Sequence, residues 1–384
     1  MKIAVPKETR PGERRVGLVP ESCKKLIQAK YTVSVEQGAG EAAFYPDDAY
    51  REAGCAVERD PAALIGASPI VLKVNPPAID TAGRNEAEWM TPGTVLVASL
   101  MPLRHLDIVR ALAARNITAF STDAIPRTTR AQAMDTLSSM ASITGYKGVL
   151  LAAAEFTKYF PMLMSAAGTV FPAKVFVIGA AVAGLQAIAT ARRLGANVTA
   201  TDVRPEVKEQ IESLGAKYVG IELKESASAG GGYAQELSEA DKQRQRELLA
   251  EQCAASDVVI TTALIGGVRA PKLITAQIVS RMRPGSLIVD LGADGGGNCE
   301  LSKLGETVTV GGVRIIAPLN LPATMPTHAS LLFSRNLTAF IQAFTKDAAF
   351  QLNLSDEIQQ GMLITHGGEV RHPRTQEALK QRHP

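Results

Sequence analysis

The sequence predicts an α/β protein built from two doubly wound domains with parallel sheets, joined by long helices around a cleft. Three observations carry that prediction. The chain has 384 residues, too many for one ordinary hydrophobic core. Short apolar and β-branched runs alternate with helical stretches in both halves. One stretch, Val175 to Asp202, reads as strand, tight turn, helix, strand and acidic residue.

The first half follows that alternation. Lys2–Val5 is a short strand, and a charged loop runs from it to Pro20. Residues 21–29 are helical, Thr32–Glu36 is a strand, residues 38–40 form a turn and 47–53 a small helix. Strands follow at 70–74, 94–99 and 118–121, separated by helices near 60–66 and 104–114. No phosphate-cradling glycine pattern occurs here. After Pro126 the chain reads as one or two long helices leaving the first domain. Chain that passes this way between two α/β domains borders a cleft. Arg127, Gln132, Asp135 and Ser138 cluster there, ahead of a long apolar run. In a helix, Gln132, Asp135 and Ser138 would share one face. The residues leave two readings open: a solvated helix start, or one wall of a site.

In the second half, residues 175–178 form a strand and 179–184 a turn. Residues 185–194 form a helix that stops at Gly195, and Asn197–Thr201 is a strand ending on Asp202. This is the Rossmann-like arrangement that binds dinucleotides. Gly179 and Gly184 let a pyrophosphate approach the backbone, and the helix start offers unpaired N–H donors and a partial positive charge. Asp202, 23 positions after Gly179, can accept hydrogen bonds from an adenosine ribose. Ala181 stands where a second glycine is expected, beside Val182, and its methyl group bears on how closely the pyrophosphate sits. Arg204 is a helix-start charge, a clamp on the adenosine, or a partner for a 2′-phosphate. Asp202 would repel such a phosphate, which favours NAD(H) over NADP(H). The plain alternative is an ordinary βαβ packing unit. The uncharged run 175–191 is not a membrane helix, because its 17 residues sit at the lower limit and include the turn glycines.

Beyond Arg204, Pro205 begins a helix to about residue 214. Ala227–Tyr233 is a glycine-rich loop, either closing over a ligand or a plain surface linker. A charged helix follows at 238–253, a buried strand at 257–262, a helix at 272–282 and a strand at 286–290. The loop LGADGGGNCE leaves that strand's carboxyl end, where open α/β sheets line their ligand crevice. A hairpin turns at Gly311-Gly312. The helix 328–344 returns to the first domain, and the polar tail holds a small hairpin at Gly367-Gly368. The domains read as 1–135 with 328–384, and 136–327.

Composition excludes several classes. A net charge of +3 and 5% aromatic residues give no nucleic-acid surface. The four cysteines are widely spaced, which reads as reduced thiols, not a metal site or disulfide frame. The N-terminus lacks the apolar core of a signal peptide, and nothing in the sequence reads as bilayer-spanning.

MKIAVPKETRPGERRV, Val71–Val74, PRTTRAQAMDTLSSMASITGY, the βαβ unit, VITTALIGG and IVDLGADGGGNCE together resemble the alanine dehydrogenase and nicotinamide nucleotide transhydrogenase family. The resemblance covers almost the whole chain. Arg127–Ser138 and the loop ending in Gly232-Tyr233 are similar to the transhydrogenase branch, in its soluble NAD(H)-binding component. The resemblance implies an enzyme of the proton-translocating, Si-specific/Re-specific type. It also implies a homodimer, with a membrane-spanning subunit and an NADP(H)-binding beta subunit as partners. Longer members continue into membrane helices, so a separate α1-type subunit is expected, on the cytoplasmic face of the cell membrane through its partners. By the same resemblance, Arg127, Gln132, Asp135 and Ser138 attend the nicotinamide side and Val182 the turn. Asp202, Val203 and Arg204 attend the adenosine side, Gly232 and Tyr233 form the mobile loop, and Gln245 and Leu264 make further nucleotide contacts.

Chemistry separates the branches. Reducing an imine to an amino acid needs a proton donor, for which the alanine dehydrogenase branch uses a histidine. Lys73 and Asp294 match two of that branch's residues, but VLVASLMP at 95–102 holds no histidine. His105 lies beyond it in a helical pattern that reads as exposed. Ring-to-ring hydride transfer needs only positioning and exclusion of water. Two alternatives remain: an alanine dehydrogenase-like enzyme, and a non-catalytic nucleotide-binding assembly module in which Ala181 marks a decayed turn.

Overall fold

The computed structural model describes residues 1–79, 83–220, 228–229, 233–234, 239–264, 269–347 and 349–381. Its strands form two large sheets, one in each of two units. Unit 1 comprises Met1–Met140 with Pro322–Pro384, and unit 2 comprises Ala141–Leu321.

The sheet of unit 1 has eight strands among the described residues. Their order is Glu369–Val370, Leu363–His366, Thr118–Ser121, Val95–Ala98, Ile70–Leu72, Lys2–Val5, Thr32–Glu36 and Ala56–Glu58. The last six in that order run parallel. The direction of winding reverses between Lys2–Val5 and Ile70–Leu72, which makes that edge the crevice of the sheet. Both faces are covered, so the strands are apolar throughout. Ile3, Val5, Val33, Val35, Ile70 and Leu72 share one core, and Ala4, Val71, Leu96, Ala98 and Ala119 share the opposite one. The helix Pro326–Ala343 fills the first core with Phe333, Leu337 and Phe340. Its buried Ser330 and Ser334 accept from the backbone N–H groups of Val16 and Val19, at 3.1 and 3.0 Å. Those bonds satisfy donors that would otherwise be buried unpaired.

Unit 2 has the order Lys217–Tyr218, Asn197–Thr201, Lys174–Ile178, Val258–Thr261, Leu287–Asp290, Val313–Ile316 and Thr307–Val310. All but the last pair are parallel. The winding reverses between Lys174–Ile178 and Val258–Thr261. Gly311 and Gly312, at φ 57° and 81°, form the expected hairpin turn.

The structure departs from the sequence reading in five places. The sheets are mixed rather than wholly parallel, because Leu363–His366 adds antiparallel to Thr118–Ser121 and Thr307–Val310 adds antiparallel to Val313–Ile316. The dinucleotide helix starts at Val182, not Leu185, and shortens the turn. The stretch after Pro126 is a 3-10 helix at Thr129–Met134, a break at Asp135 with ψ 90°, and then one α-helix, Thr136–Glu155. The helix expected over 272–282 is confined to Ala276–Ser280. There the N–H groups of Leu273 and Ile274 are drawn off to the carbonyl of Asn298. The hairpin Leu163–Ser165 with Gly168–Val170, absent from the sequence reading, is exposed at every residue. The four cysteines are buried thiols. Among the described residues no helix is long and apolar enough to cross a membrane.

Candidate functional site

In unit 2 the site begins where the sheet reverses. Gly179 ends the Lys174–Ile178 strand at φ 93°, a backbone that side chains rarely adopt. A Cβ on Gly184 would fall 1.8 Å from the Gly179 carbonyl, so the helix start can lie against the strand end only with glycine there. Thr262, at the end of the neighbouring strand, donates its Oγ1 to the same carbonyl at 2.9 Å. Ala181 is the N-cap, with φ −78° and ψ −168°, a conformation open to any residue. Its side chain caps nothing, and both it and Val182 are exposed. The turn therefore presents uncapped helix N–H groups beside a glycine cradle, which fits the pyrophosphate of a dinucleotide.

Asp202 is set at the end of the adjacent strand, Asn197–Thr201. Its Oδ2 accepts from Ala180 N at 2.7 Å, which ties the acidic residue to the turn. Oδ1 accepts from the N–H and Nε of Arg204, each at 2.9 Å, and Oδ2 accepts from Nη2 at 3.0 Å. The hydrogen bond to Asp202 raises the Arg204 guanidinium above its ordinary pKa. Val203 between them is half-buried. Tyr218 donates to the Asp202 carbonyl at 3.3 Å. Leu264 is exposed just beyond the Val258–Thr261 strand, and Gln245 is half-buried in the helix Glu239–Ala255. Tyr233 pairs through its backbone with Ala229. Gly232 lies outside the described residues.

In unit 1, Arg127 and Gln132 are exposed, on the loop after Pro126 and on the 3-10 helix respectively. Asp135 is the cap of the following helix. Its carboxylate accepts from Ser138 N at 2.9 Å and from Ser138 Oγ at 2.5 Å. The single helical face through Gln132, Asp135 and Ser138 is therefore not formed, because the cap breaks the helix between them.

Lys73 occupies the crevice edge of unit 1, one residue past the Ile70–Leu72 strand. It is 1% exposed and lies 3.1 Å from Glu86 Oε2 and 3.5 Å from Glu8 Oε1. Burial pushes its ammonium down, but Glu8 and Glu86 outweigh burial and raise it. Glu8 also accepts from Val74 N at 2.7 Å, and Glu86 accepts from Arg84 Nε at 2.8 Å. The cation is thus held by the chain's own carboxylates. Asp294 is exposed on the turn Ala293–Gly295. His105 is half-buried at a helix start, not exposed within the helix as expected. Burial lowers its pKa, and Arg10 and Arg104 lower it further.

The sequence reading missed Thr262 and the buried residues Asp290 and Asn298. Their signal lies in the strand end VITT and the loop DLGADGGGNC, whose polar members carry no record of their partners in the sequence.

The strand order, the glycine turn and the strand-end carboxylate define a Rossmann-like nucleotide-binding protein. Residues 4–144 match the model described as alanine dehydrogenase/PNT, N-terminal domain, and residues 148–373 match alanine dehydrogenase/PNT, C-terminal domain. The chain belongs to the alanine dehydrogenase/PNT family. It is 45% identical over 377 residues to an NAD(P) transhydrogenase subunit alpha of Rhodospirillum rubrum, covering 97% of this chain and 98% of that one. It is 30% identical over 387 residues to the alanine dehydrogenase of Halomonas elongata, covering 99% and 97%. A solved transhydrogenase from Sinorhizobium meliloti matches with a TM-score of 0.87 at 42% identity, covering 96% of this chain and 100% of that one.

Proposed function

We propose that this chain is the NAD(H)-binding component of a proton-translocating transhydrogenase of the Si-specific/Re-specific type. Hydride passes directly between NADH and NADP+, the latter held by a beta subunit, and membrane-spanning subunits couple the transfer to proton movement. The observation that carries this reading is a contrast between the units. Unit 2 offers an open dinucleotide cradle, whereas the crevice cation of unit 1, Lys73, is sealed by Glu8 and Glu86. An amino-acid dehydrogenase needs a cation free for its substrate's carboxylate and an acid/base for the proton.

When bound, NAD(H) supplies the nicotinamide ring that gives or accepts hydride. The protein's part is positioning and the exclusion of water. The N–H groups at Ala181, Val182 and Gly184, beside Gly179, hold the pyrophosphate. Asp202, Val203 and Arg204 hold the adenosine side, with Gln245 and Leu264 as further contacts. Arg127, Asp135 and Ser138 orient the nicotinamide end, and Gln132 hydrogen-bonds towards the partner's nucleotide. Gly232 and Tyr233 belong to a loop that closes over the cofactor. No residue in this set needs to move a proton.

The component acts as a homodimer on the cytoplasmic face of the membrane, attached through its partners. The exposed apolar hairpin at 163–170 supports the dimer, since an isolated two-stranded hairpin is marginal in water.

The test is a fluorescence titration with NADH and NADPH, followed by mixing with an NADP(H)-binding subunit and an NAD+ analogue. Selective NADH binding, with analogue reduction by NADPH only when both components are present, is expected. Alanine-dependent reduction of NAD+ by the chain alone would establish the dehydrogenase reading instead. Binding of neither nucleotide would leave an assembly module.

A further inference from the structure

The side chain of Asn298 is fully buried in unit 2, and all three of its hydrogen bonds reach backbone at the crevice. Oδ1 accepts from Ala263 N at 3.1 Å, while Nδ2 donates to Ala263 O at 2.8 Å and to Pro271 O at 3.0 Å. One amide thus grips both polar groups of a residue that lies past the end of the Val258–Thr261 strand. It does there what a neighbouring strand would do.

The residues on either side of Ala263 face the dinucleotide cradle. Thr262 binds the Gly179 carbonyl through Oγ1 and the Ile178 carbonyl through its N–H, the latter at 2.8 Å. Leu264 lies over Gly295, where an added Cβ would come 2.6 Å from its Cδ2. Asn298 is itself anchored. Its N–H reaches Asp290 Oδ1 at 3.1 Å, and that buried carboxylate also accepts from Thr261 Oγ1, Gly292 N, Cys299 N and Ser302 Oγ. A carboxylate with that many donors is fixed in direction, and so is the loop it holds.

We infer that Asn298 is a positioning residue for the dinucleotide, fixing Ala263 so that Leu264 and Thr262 are presented at the crevice. This rests on the dinucleotide site proposed above. Asn298 touches no ligand in this account and acts through Leu264. A purely structural asparagine would lower the melting temperature and leave nucleotide affinity unchanged in the folded protein.

The test is Asn298→Asp in the full chain, titrated with NADH well below the melting temperature. Aspartate keeps the shape and the acceptor for Ala263 N, but sets an oxygen against the carbonyls of Ala263 and Pro271. The expected result is a rise in Kd of about tenfold, as for loss of a buried hydrogen-bond pair. In a Leu264→Ala background, the same change has little further effect, because the two residues act as one unit. Unchanged affinity in Asn298→Asp, or additive effects in the double variant, would overturn the inference. If Asn298→Asp does not fold, Asn298→Ser is read in the same way. Failure of the wild type to bind NADH would remove the site itself, which separates that outcome from failure of Asn298 alone.

Discussion

Asp202 and Arg204 meet edge to edge, Nε to Oδ1 at 2.9 Å and Nη2 to Oδ2 at 3.0 Å. With the N–H groups of Ala180 and Arg204 also bound, the carboxylate's acceptor positions are taken. A ribose hydroxyl that binds Asp202 must therefore take the place of one guanidinium bond. Asp202→Asn is expected to weaken NADH binding about tenfold and to narrow the preference over NADPH, since a 2′-phosphate no longer faces a negative charge. Parallel titrations with the two nucleotides check this. Affinity for NADH equal to wild type would take Asp202 out of the site.

Two turn positions should respond oppositely to a methyl group. Ala181 has an unstrained backbone and an exposed side chain, so Ala181→Gly is expected to change the NADH Kd by less than about threefold. Tightening by about tenfold or more would mean that the methyl obstructs the pyrophosphate. Gly184→Ala puts carbon 1.8 Å from the Gly179 carbonyl. It is expected to cost about 3 kcal/mol of stability and to abolish binding, read by denaturant melts and by titration.

Acid should release one ion pair in unit 1. Burial would raise the Glu13 carboxyl, yet hydrogen bonds and charge from Arg15, with help from Asn75, hold it at about 2. A carboxyl depressed in the folded state stabilises above its unfolded pKa and loses that contribution as pH falls through the folded value. The stability gap between wild type and Glu13→Gln should therefore narrow by about 3 kcal/mol between about pH 5 and pH 2. Urea melts at each pH measure it, and a constant gap would show that the pair contributes nothing.

The hairpin at 163–170 predicts an oligomer. Residues 159–173 carry no charge, and Met164 and Phe171 are among the most exposed apolar side chains of the described residues. Surfaces of this kind mark association sites. The wild type is expected to run as a dimer in light scattering, and Met164→Lys with Phe171→Lys as a monomer. A monomeric wild type would remove the dimer from the proposal.

The sequence by itself determined the elements. Thr32–Glu36, Thr118–Ser121 and Asn197–Thr201 are legible to the residue, because a strand's apolar pattern is written within the strand. The Gly311-Gly312 and Gly367-Gly368 hairpins are legible from two residues each, since few others tolerate positive φ in succession. The glycine turn and its acidic residue are legible for the same reason.

Only the tertiary structure decided how polar groups are spent. Asp135 became a helix cap, Lys73 was sealed by Glu8 and Glu86, and Asn298 drew off the N–H groups that a helix at Leu273 and Ile274 would have used. Leu363–His366 found its strand partner about 240 residues back in the chain, at Thr118–Ser121. A side chain's partner is set by which strand ends the topology brings together. Periodicity within a segment carries no record of that, whereas the backbone conformation of a turn depends on the turn alone.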